Sequence, residues 1–251
     1  MNKALPTFIR KRLDPAERYG LRLTLFAFAT ALVGIPFGFL LDQVVRRGHL
    51  ISVDTAAARN LHELVRGHPI FITFMKVLTF VGTPPWFFLI VTIAVVFLWR
   101  RNRVRLAVYL SATSLIGGLI DSAVKILVDR PRPSLEHPIL TAHGKSFPSG
   151  HAMSSTVVYG AILLTFLPAI PRKRRAALIV GYLFLIAAIG FSRLALGVHY
   201  LTDVLGGYTL GAAWLAASTA AFGIWREERG RKPATPIEEG VEPEAKRDLK
   251  V

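Results

Sequence analysis

Six apolar stretches close to the length of a membrane-crossing helix recur along this chain, at roughly 21–41, 84–99, 106–127, 149–169, 176–195 and 203–225. The hydrocarbon core of a bilayer takes about twenty helical residues. A backbone inside it must satisfy its own hydrogen bonds, which a helix does and an open sheet or loop does not. The runs therefore predict an all-α fold, a polytopic membrane helical bundle with six transmembrane helices. Composition agrees: 52% of the 251 residues are hydrophobic and the mean hydropathy is +0.44. The run at 84–99 is short, but Trp86 and Trp99 bracket it as interfacial aromatic anchors do.

The remaining segments divide the chain. Residues 53–82 mix polar and apolar side chains at helical spacing, interrupted by His62, Glu63, Arg66, His68 and Lys76. This predicts an interfacial amphipathic helical segment, because a span from 69 to 82 would be too short to cross. Residues 1–20 lack the apolar centre of a cleavable signal and are expected to form a cytoplasmic N-terminal segment. Residues 21–225 form the membrane-embedded domain, and 226–251, rich in Pro, Glu and Lys, are expected to be a disordered cytoplasmic tail. Gly34/Gly38 and Gly207/Gly211 have the spacing of close helix–helix contacts.

The net charge of +15 would suggest nucleic acid in a soluble protein. Here the basic residues fall mostly between apolar runs, so topology accounts for them and no nucleic-acid partner is expected. With a cytoplasmic N-terminus, segments 1–22, 100–105, 171–175 and 226–251 lie inside and hold 21 of the 31 Lys and Arg. That is the cytoplasmic excess the positive-inside rule requires. The absence of cysteine excludes disulfides and Cys-ligated metals.

In this topology three clusters of ionisable residues share the non-cytoplasmic face, each at a span end. "KILVDRPRP" (125–133) leaves the third span, "PSGH" (148–151) opens the fourth, and "SRLALGVHYLTD" (192–203) joins the fifth to the sixth. Lys125, Arg132 and Arg193 supply three cationic donors, and the two guanidinium forks match phosphate oxygens. Pro131 and Pro133 stiffen the backbone around Arg132. Ser149 and Gly150 start a helix whose N–H groups and dipole favour an anion, and Gly150 permits close backbone approach. His199 and Asp203, four apart, share a face if the helix has begun by then. A carboxylate on one ring nitrogen leaves the other free to attack, and His151 can protonate a leaving oxygen.

Each residue alone has a plainer explanation. Single Lys or Arg side chains at span ends snorkel to headgroups, and Ser-Gly before a helix is a cap. His49, His62, His68, His137 and His143 read as ordinary loop residues, the last two within reach of headgroups. Arg130 reads as a helper or a solvated charge, and Asp121 as a structural partner of Lys125 as much as an acting group.

Together the spacings (Lys, six residues, Arg-Pro; Pro-Ser-Gly-His; Ser-Arg, five residues, His, three residues, Asp) closely resemble the three-part signature of the type 2 phosphatidic acid phosphatase and vanadium haloperoxidase superfamily, in its membrane lipid-phosphatase branch. The resemblance implies a metal-independent phosphatase without a cofactor. His199 would be the nucleophile, Asp203 its orienting carboxylate and His151 the acid and then the base. Lys125, Arg132, Ser149, Gly150 and Arg193 would hold the phosphoryl oxygens. Expected partners are membrane lipids and a lipid phosphate or pyrophosphate substrate. Undecaprenyl pyrophosphate is favoured because the chain looks like compact prokaryotic members; phosphatidylglycerol phosphate, phosphatidate and diacylglycerol pyrophosphate are the alternatives. Other readings are a lipid phosphotransferase, a haloperoxidase, which six apolar runs oppose, and a non-catalytic binder or transporter of lipid phosphates. The expected location is the cell membrane, with both termini cytoplasmic and the site on the other side. A reporter fused after residue 140 is then exported and one fused after residue 173 stays inside; both on one side would contradict this topology.

Overall fold

A computed structural model describes residues 34–249, and every regular element within them is helical. The helices are α1 (Gly34–Val45), α2 (Leu50–Arg66), α3 (Pro69–Phe80), α4 (Pro84–Arg100), α5 (Val104–Val128), α6 (Gly150–Phe166), α7 (Arg172–Ala195), α8 (Leu201–Glu228) and α9 (Pro236–Glu239). Short 3₁₀ turns follow α6 and lie at Pro243–Arg247. The expected 1–20 segment and most of the first expected span lie outside the described residues.

Helix α6 is the centre of the bundle, packed most extensively against α8 and also against α5 and α7. Glycine lets α8 approach so closely. A Cβ on Gly207 would lie 2.6 Å from the Ser149 carbonyl oxygen, and one on Gly211 would lie 2.9 Å from that of Met153. The expected small-residue contact is therefore present at Gly207/Gly211. At Gly34 and Gly38 a Cβ would meet nothing within 4 Å, so that pair makes no such contact among the described residues. Outside this centre the helices present apolar side chains outwards, such as Leu115, Leu119, Leu127, Phe88 and Phe184. Such a surface suits hydrocarbon rather than water.

Among the described residues, three or four of the helices are candidate membrane spans, and most of the first expected span lies outside those residues. Helices α5, α6 with its 3₁₀ turn, and α7 are long and apolar enough to cross a membrane, and α3 with α4 makes a fourth if that bent pair is one span. Helix α8 has 28 residues, but Thr202, Asp203, Gly206, Gly207 and Gly211 dilute its apolar content. These are the residues that contact the site and α6.

The segment expected as one interfacial amphipathic helix is two helices. Helix α2 is amphipathic, with Asp54, Ala58, His62 and Val65 on its buried face. Pro69 then starts α3, which exposes Ile70, Phe74 and Val77. It meets α4 at a 43° bend, where Pro84 begins the next helix. The hairpin of α2 and α3 packs its Val65 and Met75 against Ala195, Leu196 and Val198 at the end of α7, so it backs the loop that carries His199.

The tail also differs from expectation. Residues 226–249 fold back onto the opposite end of the bundle. Val241, Ala245 and Leu249, four residues apart, join Leu98, Leu106, Leu110 and Phe222 in one core cluster. Buried Arg226 donates to the carbonyls of Val241 (2.5 Å) and Lys232 (3.0 Å) and to Glu244 (2.9 and 3.1 Å). Polar composition hid a short apolar periodicity and a buried cation that organises the turn around it.

The glycine contact predicts a contrast within one helix. Gly207→Val should lower the thermal midpoint in detergent, by overpacking worth about 1–3 kcal/mol. Gly223→Ala, where nothing lies within 4 Å, should be neutral or mildly stabilising. Equal midpoints for both would contradict the packing.

A polar site at one end of the bundle

The C-terminal ends of α5 and α7 and the N-terminal ends of α6 and α8 meet at one end of the bundle, with loop 129–149 folded across them. All three sequence clusters lie there. The expected pairing of His199 and Asp203 on one helical face is replaced by another geometry. Helix α8 begins only at Leu201, so His199 sits in the loop before it, and Asp203 at the third helical position turns back to accept from Tyr200 N at 2.8 Å. The Asp203 carboxylate lies 3.4 Å from His199 Nδ1, longer than an ordinary N–H···O bond. Arg132 Nη1 lies 3.1 Å from Nε2 of the same ring. An arginine can only donate, so this contact assigns the lone pair to Nε2 and the proton to Nδ1, towards Asp203.

Burial reinforces that state. His199 lies outside the helices and is 2% exposed. Its pKa is pushed down to about 4, chiefly by burial, with Asp203 opposing and Arg132 and Arg193 adding to the effect. The resting ring is therefore neutral at neutral pH, with an unprotonated nitrogen beside the cations.

Asp203 is wholly buried and joins the three clusters. Its Oδ1 accepts from Arg130 (2.6 Å) and its Oδ2 from Ser146 (2.5 Å). Its main-chain oxygen accepts Ser149 N–H at 2.9 Å, next to the start of α6. Arg130 is thus neither loose nor solvated: it is 7% exposed, stacks over the Tyr200 ring at 4.2 Å, and places its other guanidinium nitrogen 2.7 Å from Asp54 of α2. Arg130, Ser146 and Asp54 carry no sequence signal of their own. The Arg-Pro-Arg-Pro run marks Arg130 only as a neighbour of Arg132.

The remaining cations are held rather than free. Lys125 Nζ contacts Asp121 at 2.6 Å and the Pro148 carbonyl at 2.5 Å, so the structural reading of Asp121 is present. Arg132 donates to the carbonyls of Gly144, His143 and Val198, which folds loop 129–149 around it. Arg193, 5% exposed, donates to Thr79 of α3 at 2.8 Å, another partner without a sequence signal. Among the ordinary histidines, His62 is buried on α2 and bonds the Glu136 carbonyl at 2.9 Å.

Among the described residues, four buried polar atoms at this end have no protein partner: Ser149 Oγ, His151 Nε2, Arg193 Nε and, on α2 behind the loop before α8, His62 Nδ1. Leaving such groups unpaired is costly, on the order of 1–3 kcal/mol each, and buried polar groups are as a rule bonded. A Cβ on Gly150 would come 3.0 Å from Asp121 Oδ2 and 3.3 Å from Lys125 Nζ, so side chains crowd the first turn of α6. Lys125 Nζ on the Pro148 carbonyl and Ser149 N–H on the Asp203 carbonyl bring the start of α6 against the end of α5 and the start of α8. Lys125, Arg130, Arg132 and Arg193 against Asp54, Asp121 and Asp203 leave a formal surplus of one positive charge. The surplus lies beside the unprotonated Nε2 of His199.

The helical bundle is that of a membrane protein, with a cluster of buried cationic side chains at the helix ends. Residues 104–227, about half of the chain, match the family model of the PAP2 superfamily. Over 96 residues the chain is 36% identical to phosphatidylglycerophosphatase B of Bacillus subtilis (strain 168), covering 37% of this chain and 46% of that protein. Over 121 residues it is 32% identical to a lipid A 1-phosphatase of Rhizobium johnstonii, covering 45% and 46%. The chain thus spans about half the length of the curated relatives it matches. A crystal structure described as the first transmembrane PAP2 type phosphatidylglycerolphosphate phosphatase from Bacillus subtilis shares the fold. Its TM-score is 0.72 at 22% identity, over 82% of this chain and 98% of that one.

The tautomer and burial predict a titration. Side-chain ¹⁵N shifts of His199 should stay those of a neutral ring down to about pH 4; protonation near pH 6.5 would contradict the buried geometry.

Proposed function

We propose that this protein is a membrane lipid phosphatase that cleaves a phosphomonoester or terminal pyrophosphate through a phosphohistidine at His199. The observation that carries the reading is a set of three of the unpartnered buried groups, Ser149 Oγ, His151 Nε2 and Arg193 Nε. They lie at the end where His199 holds an unprotonated Nε2 beside Arg132. A bound phosphoryl group would supply the missing partners.

In the first step the Nε2 lone pair attacks phosphorus, the P–N bond forms and the bond to the leaving oxygen breaks, that oxygen taking a proton from His151. The His199 ring, now carrying positive charge, is balanced by Asp203. In the second step His151 removes a proton from water, the resulting oxygen attacks phosphorus and the P–N bond breaks. Inorganic phosphate leaves and His199 returns to its resting state. Arg193, Arg132, Lys125, Ser149 and the first N–H groups of α6 hold the equatorial oxygens. There the transition state spreads its charge, so these donors act on the barrier as well as on binding. Phosphate chemistry of this kind needs no metal when fixed cations do the neutralising.

A site at helix ends suits a headgroup whose tail stays in the bilayer. The charge distribution of the sequence supports a site on the non-cytoplasmic face of the cell membrane, with the C-terminus inside. Phosphatidylglycerol phosphate is the first substrate to test, since the relatives named for it include the one matched in fold. Undecaprenyl pyrophosphate, phosphatidate and diacylglycerol pyrophosphate complete the panel. Purified protein should release phosphate from at least one of the four, and excess EDTA should leave the rate unchanged. His199→Ala should reduce turnover by about ten-thousandfold or more. No release from any of the four, or a His199→Ala enzyme near wild-type rate, would refute the reading.

A further inference from the structure

Asp54 lies on the α2 hairpin, about seventy residues before the first site motif. It is 1% exposed and fully engaged. One oxygen accepts Thr202 N–H at 2.9 Å, and the other accepts Arg130 Nη2 at 2.7 Å and the Thr202 hydroxyl. Arg130 in turn donates Nη1 to Thr202 Oγ1 at 2.7 Å and to Asp203 Oδ1 at 2.6 Å. The guanidinium is thus shared by two carboxylates, one on each nitrogen, while Tyr200 covers its face.

Three charges this deeply buried interact strongly, because little water screens them. With Asp54 present, Arg130 is neutralised from its far side and Asp203 keeps a negative charge for the His199 ring. Without Asp54, Arg130 and Asp203 would neutralise each other, and the ring would face a nearly neutral pair. Desolvating a charge array of this kind is costly and is seldom a net gain in stability, so its retention next to the site calls for a use other than holding the fold.

We propose that Asp54 is a positioning residue of the reaction: acting through Arg130, it keeps Asp203 electrostatically free to stabilise positive charge on His199. The α2 hairpin thereby becomes part of the catalytic apparatus rather than a membrane-surface appendage. Asp54 has no contact with the phosphate cradle, so it should influence the phosphorylation step and leave substrate affinity alone. The inference rests on the reading of His199 as nucleophile.

The groups around His199 are known from every side: Asp203 on α8, Arg132 and Ser146 in loop 129–149, His151 on α6, Arg193 on α7 and, behind Asp203, Arg130. Against this background opposite charge changes should act in opposite directions. Asp54→Asn removes a negative charge and should lower the His199 pKa. Arg130→Gln removes a positive charge and should raise it. The double variant should return it towards the wild-type value. A shift of about one pKa unit corresponds to a tenfold change in equilibrium. Single-turnover phosphorylation by Asp54→Asn should accordingly slow by about tenfold, with KM changed less than about threefold.

The test combines ¹⁵N titration of His199 in full-length protein, rapid-quench phosphorylation and thermal melting for the three variants. Opposite shifts, with recovery of the phosphorylation rate in the double variant, are expected. Shifts of one sign, or no shift in variants that melt like wild type, would overturn the proposal. If either single variant fails to fold, the charge-balanced double variant carries the test: a His199 pKa and phosphorylation rate near wild type support it, and a rate no better than a hundredth of wild type overturns it. If His199→Ala retains activity, the nucleophile reading fails, while the titration still reports whether Asp54 sets the charge at His199.

Discussion

Asp203 is the residue on which the rest of this end of the molecule depends. Its carboxylate accepts from Arg130, from Ser146 and from the start of its own helix, and its main-chain oxygen accepts from Ser149. Through one buried side chain and one peptide oxygen, the loop after α5, the first turn of α6 and the loop before α8 are fixed to each other. A buried carboxylate is costly unless fully bonded, and this one is. That requirement makes the geometry specific: loss of the Arg130, Ser146 or Tyr200 N–H donor would leave part of the charge uncompensated.

The bundle beneath is arranged to allow this convergence. Helix α6 can begin beside α8 only because Gly207 has no side chain to meet the Ser149 carbonyl. The same small residues that bring α8 close also make it the least hydrocarbon-like of the long helices. Apolar content and packing thus trade against each other in one element. At the opposite end, the folded-back tail closes the core around Arg226, and no residue of the site takes part in it.

Much of the site was legible because its residues occur at motif spacings and at span ends, where charge is least expected. Lys125, Arg132, Ser149, Gly150, His151, Arg193, His199 and Asp203 are all found at one end of the bundle. Arg130, Ser146, Asp54 and Thr79 were not legible, because each acts by holding another residue across a distance in sequence that no periodicity reports. Asp54 is an ordinary polar position in an amphipathic helix until the fold sets it against Arg130. The split of 53–82 into two helices was written in Pro69 and Pro84, but their effect depends on what α3 packs against. The packing of the tail was not legible because three well-spaced apolar residues count for little in its composition and for much once Leu98 and Phe222 lie opposite.

The proposed phosphohistidine joins the surplus positive charge, the unpartnered buried groups and the neutral His199 ring in one account. Rapid quench of the enzyme with radiolabelled lipid phosphate, followed by peptide mapping by mass spectrometry, tests this most directly. The account predicts a transient phosphoryl group on the peptide containing His199, located on the imidazole. Turnover without any phosphoenzyme, or a label on another residue, would contradict it.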